Sequence, residues 1–158
     1  MFDNFCNKIE LQKLIGTVDV KSTPTYFYAQ MTASYSTVNT AVPFGSAKVN
    51  VGNAFTPSTG IFVAPTPGRY YFAYSGISGS TGALRVDLQL KTGTANWALV
   101  GEANSNGGFQ TCSLHSTLDL LKGDQVRLYL TSGTIYENTQ YLYTNYVGWL
   151  IEDTDLTV

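Results

Sequence analysis

A chain of 158 residues has the length of one domain, and at that size a compact fold buries roughly two-thirds of its chain surface without a disulfide scaffold. Charged residues make up only 13%, against about 25% in typical domains, so the surface is either polar and uncharged or covered in part by other subunits. The net charge of −2, with nine Lys and Arg scattered along the chain, excludes nucleic acid and a polybasic membrane contact as partners, and no apolar run approaches the ~18–20 residues of a membrane span.

In chain order, residues 1–23 read as a short leader or stalk and residues 24–158 as the globular domain. Within the first segment, Phe2, Phe5 and Ile9 share a helical spacing, and Leu11, Leu14, Ile15 and Val18 add a second cluster. Such a helix, ending near Gly16, is too short to stand alone. It is either a frayed leader or the end of a stalk that holds chains together. The segment does not read as a secretory signal, since no positive stretch precedes a continuous apolar core. The expectation is a mature or truncated form, or another route of export. Cys6 and Cys112 form no metal-ligand spacing and no C-x-x-C pair. Cys112 reads as a small buried hydrophobe and Cys6 as a free or intermolecular thiol; the alternative is a bond between the two.

After Pro24 the apolar period changes to two. TYFYAQMTAS, AKVNV, GIFVA and RYYFAYS read as strands. In LRVDLQLK, Val86, Leu88 and Leu90 alternate with Arg85, Asp87, Gln89 and Lys91. WALVGE follows, and then GEANSNGGFQ, the most loop-like stretch, predicted at the surface. Cys112, Leu114, Leu118 and Leu120 share one face of the next strand; Thr111, Ser113, His115, Thr117 and Asp119 share the other. A turn at Lys122-Gly123-Asp124 leads into Val126, Leu128 and Leu130. QYLYTNYVGWLIE closes the chain, apolar on both faces as a central or interface-buried strand is. Some nine or ten short strands, with turn signals every ~8–12 residues, spell an all-β sandwich or barrel.

Little in this chain reads as catalysis. His115, the single histidine, sits on a polar strand face, and no G-x-S-x-G elbow accompanies it. The pairs Asp119 with Asp124 and Asp87 with Glu102 read as turn and strand-edge acids, and Glu152, Asp153 and Asp155 as a solvated tail. No enzyme, cofactor or metal is expected. The alternative is calcium, held in the loop 101–110 by Glu102 with Asn104, Asn106 and Gln110 and multiplied by a threefold axis.

The aromatic residues carry a sharper signal. Phe44, Asn50, Phe55, Phe62, Gly68, Tyr70, Phe72 and Tyr74 follow the spacing F-x5-N-x4-F-x6-F-x5-G-x-Y-x-F-x-Y. This pattern resembles the signature of the globular C1q domain family, the head module of complement C1q and its relatives. LDLLKGDQVRL and YVGWLIE, with Tyr146 and Trp149, are similar to the family's Leu-rich strand and turn and to its closing strand. The likeness runs over about residues 24–152.

The resemblance implies a ten-stranded jelly roll of two antiparallel sheets, similar to tumour necrosis factor, with both termini at one end. It also implies a homotrimer, in which the signature aromatics, Tyr146 and Trp149 fill the core and the threefold seam. No collagen-like run precedes the domain, so residues 2–18, with an interchain Cys6 disulfide, are the candidate stalk. Gly107-Gly108-Phe109-Gln110 lacks the Asp of those relatives that hold an axial calcium. The implied function is non-enzymatic: a secreted, innate-immune, lectin-like recognition protein. It would bind microbial glycans, lipopolysaccharide or other surface ligands through loops at the trimer apex. Candidate ligand-binding residues are Glu102, Asn104, Asn106 and Gln110, with Arg85 and Lys91 for anionic groups. The alternatives are an extracellular signalling or adaptor ligand for a receptor, and the trimerisation head of a longer structural or matrix protein.

Overall fold

A computed structural model describes residues 23–154. The predicted N-terminal helix, Cys6 and Asp155 lie outside the described residues. Twelve strands follow in order: β1 (Tyr26–Gln30), β2 (Thr40–Ala41), β3 (Ser46–Val51), β4 (Phe55–Thr56), β5 (Ile61–Val63), β6 (Gly68–Ser78), β7 (Leu84–Lys91), β8 (Ala98–Ser105), β9 (Thr111–Leu120), β10 (Gln125–Ser132), β11 (Ile135–Tyr136) and β12 (Asn145–Asp153). Sheet A runs β3-β1-β12-β6, with β9 and β11 also paired to β6; sheet B runs β4-β5-β10-β7-β8, with β2 on β10. Every pairing is antiparallel. The jelly-roll expectation is borne out. The count exceeds ten because β2, β4 and β11 are two-residue pairings.

The alternation read in β6 sets the layers. Tyr70, Phe72 and Tyr74 are buried inward, while Tyr71 and Ala73 face out, half-buried. Phe27 and Tyr146 join them from sheet A, Phe55 and Phe62 come from sheet B, and Phe44 closes the side. The rings pack across both sheets: Phe27 stacks on Phe55 at 4.2 Å with planes 7° apart, and Phe62 meets Phe72 edge-on at 5.2 Å. Each ring buries about 150–250 Å², roughly 4–6 kcal/mol at most. That outweighs the roughly 1–3 kcal/mol cost of the Tyr74 and Tyr146 hydroxyls, which find no hydrogen-bond partner among the described residues.

The polar members of the signature have equally local reasons. The Asn50 side chain donates to the Phe55 carbonyl (2.8 Å) and accepts from the Phe55 amide (3.3 Å), fixing the strand that delivers Phe55 to the core. Gly148 lies where the Phe27 and Phe72 rings cross, and a Cβ there would stand 2.5 Å from one and 2.8 Å from the other. In the turn before β10, Gly123 takes φ +92°, and the buried Asp124 carboxylate accepts from the Leu121 amide at 2.9 Å.

Three boundaries differ from those expected. TYFYAQMTAS pairs only as far as Gln30; Met31 bonds to Thr144 and Tyr35 bridges Ile135, so the chain turns along the sandwich end. Residues 101–105 of the expected loop are strand β8, held against β7, and only 106–110 connect β8 to β9. The closing strand begins at Asn145, because residues 138–144 are drawn into a loop by a buried carboxylate, Glu137.

The strand registers give the sandwich two distinct ends. The first and last described residues, the turn at 121–124 and the 92–97 hairpin share one end. Loops 79–83, 106–110 and 133–144 share the opposite, distal end.

Candidate functional site

Two surfaces and one loop cluster stand out. The first is the outer face of sheet A. Tyr26 and Tyr28 on β1, Val49 and Val51 on β3, Val147 and Trp149 on β12 and Tyr71 on β6 all point away from the core. Trp149, 42% exposed, is therefore no core residue. It pairs with Tyr71 at 4.5 Å instead. Every other residue of a sheet faces outward, and Trp149 is one step from the inward Gly148. A groove of about 520 Å³ crosses this face, lined by Tyr26, Tyr28, Val49, Val147 and Trp149 among others. Near the end that holds the first and last described residues, Arg69 bonds Asp119 at 2.9 Å and approaches Glu152 at 3.6 Å. These groups are exposed, and such pairs contribute little to stability.

The second surface is the outer face of sheet B, which brings together some of the predicted ligand-binding residues. Arg85 is registered against Asn104, and Asp87 against Glu102. Asn104 donates to Glu102 at 3.3 Å. Arg85, Asp87 and Glu102 line a hollow of about 320 Å³ with Leu99, Thr131 and Ser132. Burial pushes the Asp87 carboxyl above its ordinary range, the Gln89 amide opposes this, and Glu102 adds to it. Lys91 does not join the group: it lies six residues further along β7, roughly 20 Å away towards the opposite end.

Asn106 and Gln110 belong to the distal loop. The Gln110 side chain accepts from the Asn106 amide at 3.3 Å, and the Gln110 amide donates to the Ser78 hydroxyl at 3.0 Å. The four donors of the calcium alternative thus divide, with Glu102 and Asn104 on a strand and Asn106 and Gln110 in a loop. Among the described residues, no three His, Cys, Asp or Glu side chains converge as a metal set would. His115 is exposed on β9. Cys112 is a free, buried thiol, and burial raises its pKa and makes it a poor nucleophile.

Sequence reading missed the aromatic run at the distal end. Phe109 meets Tyr136 at 5.0 Å, Tyr136 meets Tyr143 at 6.1 Å, and Tyr143 meets Tyr141 at 5.6 Å. Glu137 holds this loop in place. Its Oε1 accepts from the amides of Asn138 (2.8 Å) and Tyr143 (3.0 Å), and its Oε2 from that of Thr144 (2.8 Å). The available signal was the tyrosine density of TIYENTQYLYTN around a single acid. Glu137→Gln replaces one accepting oxygen with a donor that faces backbone amides. We expect a loss of roughly 1–3 kcal/mol, with amide exchange accelerating at residues 138–144 first. Unchanged exchange there would show that the carboxylate does not hold the loop.

Comparisons with known proteins agree with this geometry. The C1q domain family matches residues 26–151. Complement C1q tumor necrosis factor-related protein 3 of Mus musculus is 28% identical over 128 residues, 81% of this chain and 51% of that protein. The chain therefore spans about half the length of this relative. Among solved structures, the globular domain of zebrafish complement 1qA protein superposes with a TM-score of 0.66 at 22% identity, over 82% of this chain and 99% of that one. The Eiger TNF of S. frugiperda superposes with a TM-score of 0.66 at 9% identity, over 85% and 96%. Both of these structural likenesses are of fold alone.

Proposed function

Since the chain belongs to the C1q domain family, whose members are non-enzymatic ligand or structural proteins, we propose that it is an extracellular, trimeric recognition head. The observation that carries this reading is the apolar outer face of sheet A. Tyr26 (44% exposed), Val49 (38%) and Trp149 (42%) line one groove, and Val51 (36%) is registered beside Tyr26 on the same face. Soluble monomers rarely expose a contiguous apolar patch of more than a few hundred Å². Burial of this face against neighbouring copies removes it from water, and obligate interfaces are apolar in this way. The low charge content of the chain fits a surface of which a large part is buried.

In such a trimer the first and last described residues of every protomer lie at one end and the distal loops at the other. Arg85, Glu102, Asn104, Asn106 and Gln110 stand in the distal half, turned to solvent, as candidate contacts for microbial glycans or lipopolysaccharide. Three weak sites on one particle bind a repeating surface far more tightly than one site does. A second reading, the trimerisation head of a longer protein, is favoured by the half-length match to its relative.

Light scattering after size exclusion is expected to give about three times 17.2 kDa. A glycan array with and without chelator is expected to show hits that weaken on Asn104→Ala or Arg85→Ala. A clean monomer overturns the assembly, and a blank array with an intact trimer overturns glycan recognition and leaves the structural head.

A further inference from the structure

Arg127, on the outer face of sheet B, has an environment that none of the preceding roles explains. Its guanidinium carbon sits 3.9 Å from the centre of the Trp97 ring and 4.6 Å from that of Tyr129. Its Nε and one terminal nitrogen both donate to the Gln89 side-chain oxygen, at 3.0 and 2.9 Å. Gln89 in turn donates to Asp87 at 3.3 Å, which fixes the direction of the amide. The acceptor that orients the cation is therefore neutral. No carboxylate among the described residues lies within ion-pair distance of it; the ion pairs there belong to Arg69. Burial lowers its pKa, yet a guanidinium keeps its charge at neutral pH.

Covering a cation with rings and leaving it without a counter-charge costs solvation. The fork is held rigid, and the far terminal nitrogen makes no hydrogen bond among the described residues. That free edge has the geometry that takes a carboxylate or sulfate through two parallel hydrogen bonds. A second cation lies near it. Lys91 is registered against Gln125, two residues from the Arg127–Gln89 pair on the same face, which places the backbones ~7–8 Å apart. Trp97 and Tyr129 are only partly buried. Their rings offer an apolar surface beside the charges, of the kind on which the C–H face of a sugar ring packs.

We propose that Arg127, Lys91, Trp97 and Tyr129 form a binding site for acidic saccharides. Arg127 takes one carboxylate or sulfate, Lys91 takes the next along the chain, and the rings carry the sugar between them. The inference rests on the reading of this protein as a saccharide-binding head, and it moves the acidic-ligand contact from the distal end to the flank of sheet B. It also gives Lys91, which is remote from Arg85, a partner.

The test uses the intact assembled protein and three probes: a heparin hexasaccharide, an oligogalacturonate hexamer and neutral maltohexaose. The sulfated and carboxylated arms tell the two acidic groups apart. The indole N–H signals of Trp97 and Trp149 are assigned with Trp97→Phe. Titration with one or both acidic probes is expected to shift the Trp97 signal and leave that of Trp149 in place, with maltohexaose silent. Arg127→Lys preserves the charge but not the fork, and is expected to weaken binding at least tenfold at unchanged particle mass. Acidic binding that leaves Trp97 unmoved, or that survives Arg127→Lys, overturns the site. If it is instead lost on Asn104→Ala, the distal surface is the contact and the recognition reading stands. Binding of no acidic probe overturns the site as well, and the array then decides recognition separately. Should Arg127→Lys fail to fold, the Trp97 signal of the unaltered protein decides alone.

Discussion

Phe72→Ala is expected to lower stability by about 3–5 kcal/mol, the range for emptying a buried phenylalanine site. Phe72 is fully buried and contacts Phe27, Phe62, Tyr70 and Tyr146, which come from three strands of sheet A and one of sheet B. The cavity cannot close without moving both sheets, since Phe62 and Tyr146 are themselves held by other rings. At a fixed protomer concentration, a domain of this size should lose roughly 10–15 °C in melting temperature. Melting is followed by circular dichroism at several concentrations, because assembly adds its own dependence. An unchanged curve would mean that the faces of β6 are assigned the wrong way round.

Trp149→Arg is expected to leave the protomer folded and to abolish assembly. The indole is 42% exposed in the protomer, so its removal empties no cavity. The protomer loses the tilted ring contact with Tyr71, about 0.5–1.5 kcal/mol. The interface loses a central aromatic anchor and acquires a charge in an apolar groove, a cost of several kcal/mol repeated at each contact. Light scattering should fall from about three times 17.2 kDa to 17.2 kDa with the β-sheet circular dichroism retained. A trimeric mass for the variant would remove sheet A from the interface, and a collapsed spectrum would place Trp149 in the core after all. The two substitutions separate the neighbouring roles of one closing strand: Gly148 and Tyr146 face the rings, and Trp149 faces outward.

The aromatic spacing carried much of the fold because its reasons are local to each strand. Tyr70, Phe72 and Tyr74 are inward because alternate residues of a strand share a face, and Asn50 is required because it clamps the backbone five residues on. The surfaces were less legible. A predicted loop at 101–110 proved to be half strand, since pairing of β8 with β7 overrode its polar composition. Arg85 and Lys91 looked alike in LRVDLQLK, yet they stand in different halves of the sheet. The grouping of Arg127 with Trp97 and Gln89 joins residues up to 38 positions apart.

The sequence by itself determined an all-β sandwich or barrel with an inward aromatic core, through period-two alternation, and its aromatic motif carried the resemblance to C1q heads that implied the two-sheet jelly roll. Only the tertiary structure decided which outward side chains become neighbours: Tyr71 with Trp149, Phe109 with Tyr136, and Arg127 with Trp97. The reason is physical. An outward position costs little whatever residue fills it, so the pattern along one strand leaves it unspecified. Strand order and register, set by the buried faces, then place such residues side by side on the surface.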